Sequence, residues 1–263
     1  MKSVKEQQEL RLKWLDENKK KGAAPPPPQD KTPWNRKPVA NPGSSKDDFE
    51  KDRLALKGLD LPGKLKGRRE LLAKYAVQIQ NWIESGSKES FPPFAYGVQW
   101  QFDLNEFDLY FDWIEIALQR ETVPLHSSKK TSFLPCMVYD ILEWAEENHS
   151  QHKSSEPYLK RMIRLVEKFG GWKATAKKQE SQAYYLAFHD LDRQGDVAET
   201  LDFGINALVI HKAAIKTRIK DIFKEHFTKD EAKSFIVLLD GAIERSDGKV
   251  LQEALKDFLK RKK

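Results

Sequence analysis

Apolar side chains recur along this chain at helical spacing, and no stretch shows the strict apolar and polar alternation that is typical of a β-strand. A segment rich in serine and proline, SGSKESFPPF at 85–94, interrupts the helical pattern. Beyond this segment the helical pattern continues to the end of the chain. Loops are expected near 121–132, 148–156, 170–180 and 246–248. The sequence therefore predicts an all-α protein.

The start of the chain differs from the rest. Residues 1–22 predict a helical arm, because residues 4–20 form a short amphipathic pattern. Residues 23–46 include the run PPPP and small polar residues, which cannot pack a core, so a flexible proline-rich linker is expected. Three helical segments are predicted to follow: a basic hairpin at 47–86, a core of helical hairpins at 91–226 and a C-terminal helical pair at 228–263.

An apolar seam runs along the helix predicted after the turn at 60–63. Its members, spaced largely as in a heptad repeat, are Leu65, Leu72, Tyr75, Ile79 and Trp82. Such a seam usually packs against something outside its own helix. Two interpretations stay open: burial against the preceding helix, or contact between the subunits of a homo-oligomer.

Carboxylates are threaded through an apolar run in WQFDLNEFDLYFDWIEIALQ at 100–119. At about 100° per residue, Asp108, Asp112 and Glu115 share one narrow face, and apolar side chains fill most of the remaining circumference. One interpretation is a nearly buried helix whose carboxylates form its strip to water. The alternative is that these carboxylates bind Mg²⁺ and cut DNA, which requires acidic groups from other elements to converge with them.

Two segments of the chain resemble each other. NEFDLYFDWIEIAL at 105–118 aligns with GDVAETLDFGINAL at 195–208, and both are predicted to be the second helix of a hairpin. The preceding AYYLAFHDLDRQGD has the small and aromatic spacing of a tetratricopeptide-like first helix. Their separation is too long for a solenoid period. The sequence therefore predicts two similar helical hairpins that are partly tetratricopeptide-like.

The net charge of +6 and the pI near 9.1 are mild, so contact with a polyanion must come from local clusters of cations. The single cysteine, Cys136, excludes an internal disulfide framework and suits a reducing compartment. No apolar run approaches the roughly 18 residues that a membrane span needs. Neither export nor membrane insertion is expected.

Two basic clusters are candidates for binding the phosphates of DNA. The first consists of Lys57, Lys64, Lys66, Arg68, Arg69 and Lys74. Cations in the first turns of a helix oppose its dipole, and a bound phosphate would resolve that conflict. The second consists of Lys212, Lys216, Lys220 and Lys224, spaced four residues apart beside an apolar stripe, which could follow a phosphate backbone. For each cluster, a solvated surface is the alternative.

The sequence gives little support for nucleotide binding, metal binding or a reactive cysteine. No GxxxxGK[ST] sequence is present, so the chain is not expected to bind a nucleotide through a P-loop, and any ATPase must be a partner. His149 and His152 could hold a metal only with ligands from elsewhere in the chain, and no metal site is predicted. Cys136 has apolar neighbours and is interpreted as core packing.

The order of four helical blocks carries a family resemblance. They are DRLALKG…KGRRELLAKYAVQIQNWIESG, VQWQFDLNEFDLYFDWIEIAL, SFLPCMVYDILEWAEE and AYYLAFHDLDRQGDVAETLDFGINALVIHKAAIKTRIKDI. Over roughly residues 48–224 the chain resembles the small terminase subunit of peduovirus-type tailed phages, often labelled the terminase endonuclease subunit. The closest parts are GRRELLAKY at 67–75 and the hairpin that begins at Gly195-Asp196. The family's usual Gly-Asp of the first hairpin is Asn105-Glu106 here.

The resemblance implies recognition of concatemeric phage DNA at its packaging site in the host cytoplasm. It also implies a large ATPase subunit as partner, a part in cohesive-end generation and virion assembly, ring-like homo-oligomers and, as a further candidate partner, the portal. No matched position carries a recognisable catalytic constellation, so cleavage is assigned to the complex, and Mg²⁺ is expected only if cleavage is intrinsic. The alternatives are a Mg²⁺-dependent DNA endonuclease in its own right and a tetratricopeptide-like adaptor that binds only protein.

Overall fold

The structure is a computed structural model that describes residues 46–122, 124, 132–175, 177–211, 215–245 and 248–260. Within these ranges the chain forms eleven α-helices, two short 3₁₀ turns and no strand, which confirms the all-α prediction. None of the helices in the described ranges combines the length and the apolar character needed to cross a membrane. The predicted arm at 1–22 and the linker as far as residue 45 lie outside the described residues.

The chain divides into two compact units, residues 1–130 and 131–263, and the boundary lies inside the predicted 91–226 segment. The helices of the first unit are α1 (Lys46–Ala55), α2 (Leu61–Ser85), α3 (Pro92–Asp103) and α4 (Phe107–Gln119). Those of the second unit are α5 (Phe133–Ser150), α6 (Tyr158–Lys168), α7 (Lys177–Gln194), α8 (Val197–His211), α9 (Lys216–His226), α10 (Lys229–Arg245) and α11 (Gly248–Lys260).

Helix α2 is the longest element of the first unit, and its ends follow from the local sequence. The Asp60 side chain accepts a hydrogen bond from the Gly63 amide at 2.9 Å and so caps the N-terminus. Gly86 ends the helix with φ of 69°, in the left-handed region that glycine adopts without a steric cost.

The apolar seam of α2 packs inside the first unit. Its four most enclosed members, Leu72, Tyr75, Ile79 and Trp82, are buried, and Leu65 is half-buried. The Tyr75 ring lies edge-on to Phe49 of α1 at 5.0 Å, and the Trp82 ring lies 4.5 Å from Phe94 of α3. Of the two interpretations of this seam, the structure therefore shows intramolecular burial, against α3 as well as the preceding helix α1.

Helix α4 is enclosed on most of its circumference, as its sequence predicts. Its buried residues are Phe107, Tyr110, Phe111, Trp113, Ile114 and Ala117. Asp108 and Asp112 are exposed and Glu115 is half-buried. This helix packs against α3, where Gly97 lies against the Trp113 ring.

The two predicted hairpins, α3 with α4 and α7 with α8, share the same turn. Asn105 and Gly195, which the sequence alignment pairs, have φ of 62° and 77°. In the first turn the Asn105 amide donates to Phe102 O and the Glu106 amide to Gln101 O; in the second, the Gly195 amide donates to Asp192 O and the Asp196 amide to Leu191 O. Both patterns are those of a Schellman motif. The prediction of two similar hairpins is therefore confirmed.

The second unit is built around the hairpin of α7 and α8, the most extensively packed helix pair among the described elements. Gly204 of α8 lies against the Phe188 ring of α7, so a small residue again faces an aromatic one where two helices approach closely. Helices α9 and α10 pack through stacked rings of Phe223 and Phe235, whose centroids are 3.6 Å apart.

Candidate nucleic-acid interface

The first basic cluster lies on α2 and on the 3₁₀ turn before it. Lys57 belongs to that turn, Leu56–Gly58, and the other five cations lie in the first four turns of α2. The turn lies directly against α2, because a side chain at Gly67 would collide with Leu56. The close approach at Gly67 therefore places Lys57 on the same part of the first unit as the cations of α2.

Four cations of this cluster are available for contact with a ligand. Lys57, Lys66 and Arg69 are exposed and Lys64 is half-buried. Among the residues that the structure describes, Lys57, Lys64 and Arg69 have no carboxylate within ion-pair distance. Lys66 Nζ lies 3.8 Å from Glu70 Oε1, with the two side chains 79% and 65% exposed, so this pair contributes little. We call Lys57, Lys64, Lys66 and Arg69 the α2 basic surface.

The other two cations of the cluster hold the first unit together. Arg68 Nη1 lies 2.6 Å from Asp103 Oδ2 and joins α2 to the last residue of α3. Lys74 Nζ lies 2.5 Å from Asp52 Oδ2 and joins α2 to α1, and the same carboxylate accepts a hydrogen bond from the Tyr75 hydroxyl at 2.8 Å. Both cations thus join α2 to another helix, whereas the cations of the α2 basic surface make no ion pair to another helix among the described residues.

The Lys74 to Asp52 contact makes stability depend on pH. The hydrogen bond from Lys74, with that from Tyr75, holds the pKa of Asp52 below its ordinary value. A carboxylate whose pKa is lowered by folding contributes stability above about pH 4, and this contribution is lost as the pH falls through the lowered pKa. We expect Asp52→Asn to reduce the free energy of unfolding by about 0.5–1 kcal/mol at pH 7 and by less at pH 3.

Urea unfolding at the two pH values measures this effect. Glu89→Gln, at an exposed position of the same unit, serves as the control and is expected to change little at either pH. An Asp52→Asn deficit that is equal at pH 7 and pH 3 would contradict the assignment.

The second basic cluster lies on α9, and its described lysines are paired. Lys216 Nζ lies 2.7 Å from Asp240 Oδ1 and Lys220 Nζ lies 2.8 Å from Asp240 Oδ2, so two lysines share one carboxylate of α10. These lysines hold the pKa of Asp240 below its ordinary value. Lys224 pairs with Asp221 at 3.1 Å, and Lys212 lies outside the described residues. The lysine edge of α9 is therefore largely compensated within the second unit, with three described lysines paired to two carboxylates.

Two features of the first unit were not singled out from the sequence. Leu54 and Leu59, exposed by 44% and 43%, are large apolar side chains on either side of Lys57 in the chain. Leu59 also lies against Gly63 at the start of α2. In the sequence these are two of four leucines, at 54, 56, 59 and 61, and their spacing does not distinguish the exposed leucines from the half-buried ones.

Within the described residues, the acidic strip of α4 is not brought together with acidic groups of other elements. No group of three or more His, Cys, Asp or Glu side chains in the described part of the chain is arranged to hold a metal ion. Asp108 and Asp112 face outward from the first unit, on the opposite side of α4 from its buried rings. The convergence that two-metal cleavage requires is thus not brought about by the packing of the described helices.

Comparison with known proteins bears on these surfaces. Residues 48–171 match the family described as Phage small terminase subunit. No curated protein and no solved structure gives a match to the chain. The matched range contains the whole α2 basic surface, whereas α9 lies beyond it. The matched residues, somewhat fewer than half of the chain, are therefore similar to phage small terminase subunits.

Proposed function

We propose that this chain is the DNA-recognition subunit of a peduovirus-type phage terminase, acting in the host cytoplasm. It binds duplex phage DNA at the packaging site through the α2 basic surface and works with the large ATPase subunit in genome packaging. The observation that carries the proposal is that Lys57, Lys64 and Arg69 are exposed or half-buried cations with no carboxylate within ion-pair distance among the described residues, in the part of the chain that matches the family.

The chemistry of this surface suits a phosphate backbone. Four cations gather where α2 begins, and no acidic side chain lies in the first turn of that helix. Cations attract phosphate oxygens, whereas the Gly63 amide at this helix N-terminus is already bound to the Asp60 side chain. Contacts with phosphates set the affinity and the register of a protein on DNA, but they do not read the bases. Because such contacts release counterions, they also make the affinity depend on the salt concentration. Arg68 and Lys74 are assigned to the scaffold, because their carboxylate partners already neutralise them.

The test compares two variants that each lose two positive charges. In Lys66→Gln/Arg69→Gln the charges come from the α2 basic surface; in Lys216→Gln/Lys220→Gln they come from the compensated edge of α9. Fluorescence anisotropy with labelled duplex DNA between 50 and 200 mM salt measures affinity. We expect the first variant to bind about tenfold more weakly or worse, with a salt slope smaller by about two. The second is expected to bind within a factor of about two of the wild type.

Equal weakening of the two variants would show that net charge, and not the α2 basic surface, determines binding. Unchanged affinity in Lys66→Gln/Arg69→Gln would remove this surface from the DNA contact. If the wild-type chain does not bind DNA even at the lowest salt, the protein is better described as a tetratricopeptide-like adaptor that binds only protein.

We assign cohesive-end cleavage to the complex with the large subunit, since Asp108, Asp112 and Glu115 stay on one helix. The proposal places no subunit contact on the apolar seam of α2, because four of its five side chains fill the interior of the first unit. The ring-like homo-oligomer that the family resemblance implies would therefore use other surfaces.

A further inference from the structure

Two histidine rings lie side by side in the second unit. His149 is near the C-terminus of α5 and His189 is in the second half of α7. Their ring centroids are 5.2 Å apart and their planes are inclined by 45°. His149 Nδ1 and His189 Nε2 are both buried, and neither has a hydrogen-bond partner within the described part of the chain. Buried polar atoms without a partner are costly, so a pair of them calls for an explanation.

We propose that His149 and His189 bind one divalent transition-metal ion such as Zn²⁺, through Nδ1 and Nε2 respectively, with water completing the coordination. Zn–N distances of about 2.0–2.1 Å at tetrahedral angles place the centroids of two coordinating imidazoles about 5 Å apart. The observed separation of 5.2 Å agrees with that geometry. The ion would satisfy both orphaned nitrogens at once.

Two carboxylates lie close to the pair in the chain. His189 is followed directly by Asp190 and is two residues before Asp192, and both carboxylates act on it electrostatically. Both are already paired with arginines, Asp190 with Arg193 and Asp192 with Arg218, so the two imidazoles themselves must supply the affinity for an ion. The neutral imidazole is the form that coordinates a metal.

The position of the pair indicates what a bound ion would do. The segment after α5 is already fastened to α7: the Ser155 amide donates to Asp190 Oδ2 at 2.6 Å, and Gln194 donates to Ser154 Oγ at 3.1 Å. An ion between His149 and His189 would add a link between the end of α5 and α7 at the same place. Imidazole ligands favour zinc, copper and nickel over magnesium, so this site is distinct from any Mg²⁺ used in cleavage.

The test is isothermal titration calorimetry of the full chain, without an affinity tag, with ZnCl₂ at pH 7.5. We expect one ion per chain, and about tenfold or greater loss of affinity in His149→Gln and in His189→Gln. His152→Gln is the matched control, because His152 is exposed and only three residues from His149; its affinity is expected to match the wild type. MgCl₂ at the same concentrations is expected to give no binding heat.

Cobalt gives a second readout that needs no variant, since Co²⁺ bound to the two imidazoles is expected to produce visible absorption bands on the wild-type chain. Circular dichroism checks that each variant is folded. Absence of both zinc binding and cobalt bands in the wild type would overturn the proposal. It would also be overturned if His152→Gln abolished binding while His189→Gln, still folded, retained it.

Discussion

Replacing Arg120 by alanine is expected to lower the free energy of unfolding by about 2–3 kcal/mol. Arg120 follows α4 and serves the C-terminus of α2. Its guanidinium donates to Trp82 O at 3.0 Å, to Ser87 O at 3.3 Å and to Ile83 O, and it lies 4.6 Å from the Trp82 ring centroid. Alanine would leave the last carbonyls of α2 without this cation, which also complements the negative end of the helix dipole.

Guanidinium chloride unfolding of Arg120→Ala and Arg120→Lys tests this role. Lysine keeps the charge but cannot donate in a planar fork, so we expect it to recover less than about half of the lost stability. Arg164→Ala, at an exposed position of α6, is the control and is expected to cost less than about 0.5 kcal/mol. Equal losses in Arg120→Ala and Arg164→Ala, or full rescue by lysine, would show that the forked contact with α2 is unimportant.

Replacing Gly97 by leucine is expected to cost about 3 kcal/mol or more, because it overpacks a crossing of three helices. A Cβ at Gly97 of α3 would lie 2.6 Å from Trp113 Cζ3 of α4 and 3.2 Å from Leu72 Cδ2 of α2. Neither neighbour is a flexible chain end, since the Trp113 ring is itself buried. Alanine is expected to cost about 1–2 kcal/mol, because its better helix propensity offsets part of the collision.

The same unfolding experiment on Gly97→Ala and Gly97→Leu should give a graded loss of stability. Gly58→Ala is the matched control, since no atom lies within 4 Å of a Cβ placed there. An Ala substitution at Gly97 that is as harmless as one at Gly58 would mean that α3 and α4 can separate to accept a methyl group. Because α2 rests on this crossing, we also expect Gly97→Leu to weaken the proposed DNA binding through loss of the fold.

The helices and their buried faces could be predicted from the sequence, because they depend on local spacing. The buried positions of α4 follow the 3.6-residue period, and the pairing of Asn105 with Gly195 identified two turns of the same geometry. The apolar seam of α2 was also visible. The partners of this seam could not be predicted. A heptad pattern indicates that a helix packs against another element, but it does not identify Phe49 and Phe94 of the same chain as the contacts.

Which cations are paired with a carboxylate could not be predicted, because the pairing depends on contacts between residues that are distant in sequence. Arg68 and Arg69 are neighbours in the chain and look equivalent, yet only Arg68 meets Asp103, 35 residues away. Lys216 and Lys220 appeared to have little compensation nearby, and their carboxylate is on the next helix. Ion pairs between helices therefore reduced the set of cations that are candidates for DNA contact. Composition and spacing do not reveal such ion pairs.

The sharing of Asp240 by two lysines has an evolutionary consequence. Lys216 and Lys220 depend on a single carboxylate for their neutralisation. One nucleotide change can turn an aspartate codon into one for asparagine, alanine or glycine. That change would leave both lysines without their shared carboxylate and raise the net charge of the group by one. If the chain binds DNA as proposed, a single substitution at Asp240 is thus a short mutational route to a second phosphate-binding surface, and a reverse mutation removes it as readily.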